Sequence, residues 1–272
     1  MEGGLKGGPE GKLARLRGAR RIWAVGSVHG EAERLSRLHD QIAARFVDGD
    51  RLIYLGNYLG HGSAVVATID ELIDFRSRIM ARPRGFASDI VFLRGAQEEM
   101  WQKLLQLQFA QNPGEVLGWM ARNGVEPTVA GYGAEMRQGF AASRDGPRTM
   151  TRWTSGMRDA MNARPGHTPL FSILRHAAVA LEGPLLFVSA GLNPVRPLAD
   201  QGDAFWWGPT DILELTAPFE GFRRVIRGFD RDRRGLVQRD YAVSLDGGAG
   251  RGGKLLAAAF APNGEVLEVL EI

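Results

Sequence analysis

Five glycine-bounded segments carry most of the side chains in this sequence that could do chemistry. They are Gly26-Ser27-Val28-His29-Gly30, Gly56-Asn57-Tyr58-Leu59-Gly60-His61-Gly62, Arg94-Gly95-Ala96-Gln97-Glu98, Val188-Ser189-Ala190-Gly191 and Arg227-Gly228-Phe229-Asp230. Histidine ligates metals and moves protons near neutral pH, carboxylates hold hard cations, and arginine grips oxyanions through a planar fork. His29 with Asn57 and Asp230 forms one conceivable single-metal set, against the commoner role of a lone histidine as a hydrogen-bonded structural residue. His61, Gln97, Arg227 and Asp230 are the further candidates for touching a bound molecule. Glu98 and Glu99 begin an apolar-periodic stretch, where a carboxylate is favoured by the positive end of a helix dipole.

The elements that must position these segments are legible from hydrophobic period. Arg21–Val25, Arg51–Leu55 and Asp89–Leu93 read as strands, each ending in one of the glycine segments. Helical spacing follows each of them, with Leu35, Leu38, Ile42 and Phe46 after the first, then Ala64–Met80, then Gln97–Gln111. Strands alternating with helices predict a parallel sheet covered by helices, and ligands of such sheets bind at the carboxyl ends of the strands. From about Met100 to Arg175 the sequence is helical in texture, broken by Pro113, Pro127, Pro147 and Pro165, which predicts a helical cap. Short β runs follow at Ala177–Leu181, Leu185–Val188, Arg224–Arg227, Tyr241–Leu245 and Leu255–Phe260 and predict a second sheet. Asn263-Gly264 suits a tight hairpin turn before a last strand, Glu265–Ile272.

In order and spacing the five segments resemble the signature of the phosphoprotein phosphatases, within the calcineurin-like metallophosphoesterases. In that family they read Gly-Asp-x-His-Gly, Gly-Asp-x-x-Asp-Arg-Gly, Arg-Gly-Asn-His-Glu, His-Ala-Gly and Gly-His. The stretches around Glu98-Glu99-Met100, Trp119–Tyr132, Arg196–Gln201 and Asp246–Ala249 look like the family's bacterial branch. The resemblance implies an α/β fold with two central β-sheets sandwiched by helices, a helical cap at about 100–175, and one metallophosphoesterase-like domain over 21–272.

It also implies a chemistry that the residues do not support. Active relatives use two divalent metals to activate a water against a phosphoryl group. At the six matching ligand positions this chain has Ser27, His29, Asn57, Ala96, Ser189 and Phe229, and His29 alone is the family's residue. Gly60 and His61 stand at the family's Asp-Arg pair, Gln97 at the histidine resembling a general acid, and Gly208 at the other phosphate-gripping arginine. Glu98 matches a family glutamate that is not a ligand. The turn glycines are retained, so residues that set backbone geometry stay while those that hold charge are replaced. The expectation is a catalytically inactive pseudophosphatase with no cofactor, acting as a binding or scaffold module for a protein partner. A weak or altered phosphoesterase is the alternative, and a nucleic-acid-associated protein the second alternative.

Composition bounds the remainder. The chain has 272 residues, 44% hydrophobic and 24% charged, with a formal net charge of +3 and a pI near 9.5. The small charge makes nucleic acid an unlikely partner. Cysteine is absent, which removes disulfides and thiolate chemistry and fits a cytoplasmic protein. No apolar run is long enough to span a membrane. Residues 1–20 are Gly-rich and basic and are expected to form a flexible tail. The Arg223–Arg239 segment, interleaved with Asp230 and Asp232, reads as a self-paired solvated loop, with an anion or acidic-partner site as the sharper reading. Trp206-Trp207 suits either an exposed anchor or core packing. Gly166-His167-Thr168-Pro169 matches a family ligand motif but precedes the Val188–Gly191 turn instead of following it, so it reads as part of the cap.

Overall fold

The computed structural model describes residues 12–272. Two sheets lie face to face. The first has the order β11-β10-β2-β3-β4, built from β2 (Arg21–Val25), β3 (Asp50–Tyr54), β4 (Ile90–Phe92), β10 (Leu256–Phe260) and β11 (Val266–Glu271). The second has the order β1-β5-β6-β7-β9-β8, from β1 (Leu13–Leu16), β5 (Ala177–Ala180), β6 (Leu185–Val188), β7 (Arg224–Arg227), β8 (Gly235–Gln238) and β9 (Ala242–Asp246).

The period of two in each strand decides which layer its side chains join. On β2, Ile22 and Ala24 point between the sheets, where they meet Ile53, Leu55, Phe187, Ile226, Leu245 and Phe260. Trp23 and Val25 point the other way, toward the helices. Those helices are α1 (Ala32–Ala43) and α2 (Val65–Met80), followed by α3 (Ala96–Leu104) and the cap, α4 (Pro113–Arg122), α5 (Glu126–Gly131), α6 (Met136–Asp145), α7 (Pro147–Asn162) and α8 (His167–Ser172). On α1 the buried residues Leu35, Leu38, His39 and Ile42 fall on one face at helical spacing. A third cluster covers the outer face of the second sheet, where Phe205 and Trp206 of α9 (Ala204–Trp207) pack with Leu186, Val188 and Val225.

Three expectations need correcting. The stretch 1–20 is not wholly a tail, because Leu13–Leu16 pairs in parallel with β5 and Leu16 is buried between the sheets; residues 1–11 lie outside the described residues. Leu256–Phe260 and the final strand join the first sheet, through an antiparallel pairing of β10 with β2, so that sheet is mixed. The basic segment contains a strand, β8, paired antiparallel with β9. The Asn263-Gly264 hairpin is present, with Gly264 at φ +85°.

Two polar chains, each through a buried histidine, tie α2 to its neighbours. Glu71 bonds His39 Nδ1 at 2.5 Å and the Tyr54 hydroxyl meets His39 Nε2 at 2.7 Å. Asp70 bonds His167 Nε2 at 2.9 Å, and the Tyr132 hydroxyl meets His167 Nδ1 at 2.8 Å. His167, the residue of the misplaced motif, is therefore a buried joint between cap and α2.

Candidate functional site

The carboxyl ends of β2, β3, β4, β6 and β7 converge, so the five glycine segments form one cleft floor. Contact between the sheets there is so close that a Cβ on Gly26 would lie 2.0 Å from the Leu245 carbonyl oxygen. Only glycine allows the first turn to pass. Ser27 N–H donates to the Gly228 carbonyl across the sheets at 2.9 Å.

On this floor the polar groups bond to one another. Ser27 Oγ donates to the Gly228 carbonyl at 2.8 Å and accepts from Asn57 Nδ2 at 3.3 Å. Asn57 Oδ1 accepts from Gln97 N–H at 3.1 Å, and Gln97 Nε2 donates to the Asn123 carbonyl at 2.8 Å. His29, buried, has Nδ1 3.1 Å from the Leu59 carbonyl, which puts its proton there. Its ring meets that of His61 at 4.8 Å and that of Phe229 at 6.2 Å, both edge-on. The hydroxyl of Ser189 is buried and has no partner among the described residues. Gly60 leaves the space that Gln97 occupies, since a Cβ there would lie 2.2 Å from Gln97 Oε1.

Backbone donors of the turns are also committed. Glu98 is fully buried and its carboxylate takes Asn57, Tyr58 and Gly95 N–H at 2.8 Å each and Leu59 N–H at 3.2 Å. Gly60 N–H goes to Thr128 Oγ1, His61 N–H to the Gly124 carbonyl and Gly62 N–H to the His29 carbonyl. Burial pushes the Glu98 carboxyl up from its ordinary value, and the four N–H groups pull it the other way. Glu98 thus does more than open α3: it clamps the second turn to the third. Sequence pattern alone showed its place at a helix start, and its reach across forty residues was not visible there.

Electrostatics keep both cleft histidines neutral. His29 is pushed down to about 3, first by burial and then by His61. His61 is pushed down to about 4 by burial and by the guanidinium groups of Arg251 and Arg233. Arg251 Nη2 donates to His61 Nε2 at 2.5 Å. Arg251 is a site residue that sequence reasoning missed; its signal was a lone cation inside the glycine run Gly247–Gly253.

Beyond Phe229 the floor opens into a cleft of about 330 Å³ lined by Trp207, Gly208, Asp211, Arg227, Phe229, Asp230 and Arg231 among others. All its charges but that of Arg231 are paired. Arg227 forms ion pairs with Asp211 and Asp230 at 3.0 Å each, and Arg234 reaches Asp211 at 2.6 Å and Asp230 at 2.7 Å. Burial pushes the Asp230 carboxyl upward, but the Arg234 bond and the Arg227 charge outweigh it and hold the group below its usual range. Asp211 is a second member that the sequence did not reveal.

These donors do not fit a two-metal centre. Among the described residues no group of three or more His, Asp or Glu side chains could hold a metal ion. Ser27, Asn57, Ala96, Ser189 and Phe229 bring no charge to the floor. Asn57 and Asp230 do not join His29 as ligands, because the Asn57 side chain is spent on Ser27 and Gln97, and Asp230 on Arg227 and Arg234.

No family model and no curated protein sequence matches the chain. Solved structures do match. A structure described as a putative diadenosine tetraphosphatase is 18% identical and aligns with a TM-score of 0.53, over 96% of this chain and 98% of its own. A protein serine/threonine phosphatase from Saccharomyces cerevisiae, similar to human PP5, is 12% identical with a TM-score of 0.50, over 97% and 84%. The fold is that of the calcineurin-like metallophosphoesterases. In this metallophosphoesterase-like fold the five turns meet at the carboxyl ends of the strands.

Proposed function

We propose that this chain is a catalytically inactive phosphoesterase-fold protein that works by binding, its former centre held together without metal. The observation that carries the reading is the hydrogen-bonded floor: the Ser27 and Asn57 side chains bond each other, the Gly228 carbonyl and the Gln97 backbone N–H where charged ligands would have to converge on metal, and the buried Gln97 Oε1 and Ser189 Oγ, without partners among the described residues, are uncharged. Two divalent ions need several anionic donors around them, and the two carboxylates of these segments are already engaged, Glu98 by four backbone N–H groups and Asp230 by Arg227 and Arg234. Neutral His61 and Phe229, half-buried over the buried ring of His29, present a weakly polar surface toward the cleft. Such a surface suits contact with a partner better than activation of water.

The test is elemental analysis of the purified protein together with turnover of p-nitrophenyl phosphate in added Mn²⁺. The expected results are no stoichiometric metal, turnover at background, and a melting temperature that a chelator leaves unchanged. In a protein stabilised by bound metal, chelation lowers the melting temperature by mass action. Near one equivalent of Mn, Fe, Zn, Mg or Ca, lost in a His29→Ala variant, would overturn the reading. So would metal-dependent turnover that disappears on mutation of His29 or His61.

A further inference from the structure

The floor of the cleft is chemically closed, but its mouth is not. Trp119 on α4 and Trp207 at the end of α9 are 40% and 36% exposed, and their rings meet at 5.5 Å with 66° between planes. Trp206 beside it is buried, so the Trp-Trp pair divides its roles between core and surface. Trp207 and Arg231 line the cleft with Phe229. Past Phe229 the rim continues through His29 and His61 to Arg251, and Arg233 packs its side chain against Gly248, three residues before Arg251. Arg122 lies one turn from Trp119 on the same face of α4.

Four arginines along this rim, Arg122, Arg231, Arg233 and Arg251, are exposed, and none is in an ion pair with a described residue. The acids of the neighbourhood are otherwise engaged: Asp211 and Asp230 by Arg227 and Arg234, and buried Asp246 by the N–H groups of Asp230 and Gly248. Asp232 remains exposed, 3.9 Å from Arg234. Exposed tryptophan beside unpaired arginine is the composition of energetically dominant interface residues.

We propose that this rim is a docking surface for an acidic peptide segment of a partner protein, with carboxylates on Arg233 and Arg251 and an apolar side chain on the Trp119–Trp207 pair. The inference rests on the non-catalytic reading above and names the chemistry of the partner. Charge complementarity selects an anionic occupant. A tightly held phosphate would draw on backbone N–H groups, and those of the turns are already taken by Glu98, Thr128 and neighbouring carbonyls. A nucleic-acid strand would need open aromatic faces for stacking, whereas the edge-on tryptophans cover one another in part, and Asp211, Asp230 and Asp232 would face its phosphates. A peptide can space its carboxylates to reach the arginines and avoid the aspartates.

The experiment titrates the full chain, in EDTA, into a short fluorescein-labelled peptide of repeated Glu-Leu-Glu and follows anisotropy and tryptophan emission. Saturable binding that weakens with salt is expected, and the double variant Arg233→Glu/Arg251→Glu should lower affinity about tenfold or more, since like charges are then juxtaposed. Trp207→Ala should weaken binding, while Arg223→Glu, exposed at the opposite end of the second sheet, should not. All of these side chains are on the surface, and a thermal melt verifies that each variant is folded. The inference is overturned if the peptide does not saturate, if Arg223→Glu costs as much as the double variant, or if a phosphoserine peptide or labelled single-stranded RNA binds more tightly than the glutamate peptide. Failure here is distinct from failure of the non-catalytic reading, which bound metal or metal-dependent turnover overturns.

Discussion

Replacing Glu98 by glutamine should unfold the cleft floor far more than a one-atom change suggests. The carboxylate receives four N–H groups, two on each oxygen: Tyr58 and Leu59 on Oε1, Asn57 and Gly95 on Oε2. An amide offers one oxygen, so whichever way the side chain turns, two buried N–H groups face an NH₂ donor. A buried donor left unsatisfied costs about 1–3 kcal/mol, so the two together cost about 2–6 kcal/mol. For a domain of this size each kcal/mol lowers the melting temperature by roughly 2–4 °C. Urea unfolding followed by tryptophan fluorescence gives the free energy directly, and Glu98→Asp, which keeps the charge but retreats by a methylene, serves as the comparison. A loss below about 1 kcal/mol in Glu98→Gln would refute the view that this carboxylate clamps the turns.

Leu16→Ala should cost about 2–5 kcal/mol in the same assay, because Leu16 is buried between the sheets; a negligible loss would return residues 13–16 to the status of a dispensable tail. Gly60→Ala should destabilise by at least about 1 kcal/mol, since the position has φ +79° and the new methyl would meet Gln97. The variant's melting curve checks it. Acidification should also destabilise the fold. The folded-state values of His29 and His61 are lowered to about 3 and about 4, so between those values and the ordinary 6.5 the unfolded chain binds more protons. Their contribution is present above pH 6.5 and is lost as pH falls toward 4 and then 3, at a limiting slope of about 1.4 kcal/mol per pH unit for each proton. Equilibrium unfolding between pH 7 and 4 should show this decline, and His29→Asn should flatten it.

How much of this was legible in the sequence depended on whether the cause was local. The first three strand–turn–helix units were, because apolar period and glycine punctuation are properties of a short window. The glycine turns that end the strands and meet in one floor were legible for the same reason. The short strands Leu13–Leu16 and Gly235–Gln238 were not: one is flanked by basic, Gly-rich sequence and the other by Arg233-Arg234, and each becomes a strand through pairing with a partner far along the chain. Likewise β10 follows the second-sheet strands in sequence but pairs with β2, which only the tertiary register decides. In the site, Arg251 and Asp211 escaped notice because their significance lies in whom they meet, His61 in one case and the Arg227–Arg234 pair in the other.

Helix α2 gives the molecule a stay that runs between the cap and the α1–sheet layer. Successive residues, Asp70 and Glu71, anchor it to different layers, one to His167 and Tyr132 of the cap and the other to His39 and Tyr54 of the α1–sheet layer. Swinging the cap away from the sheet would tear at least one buried histidine from its carboxylate, so the cap is braced rather than hinged. For the docking proposed above, the rim on the α4 side is therefore preset, and its remaining arginines are carried on the loops after β7 and β9.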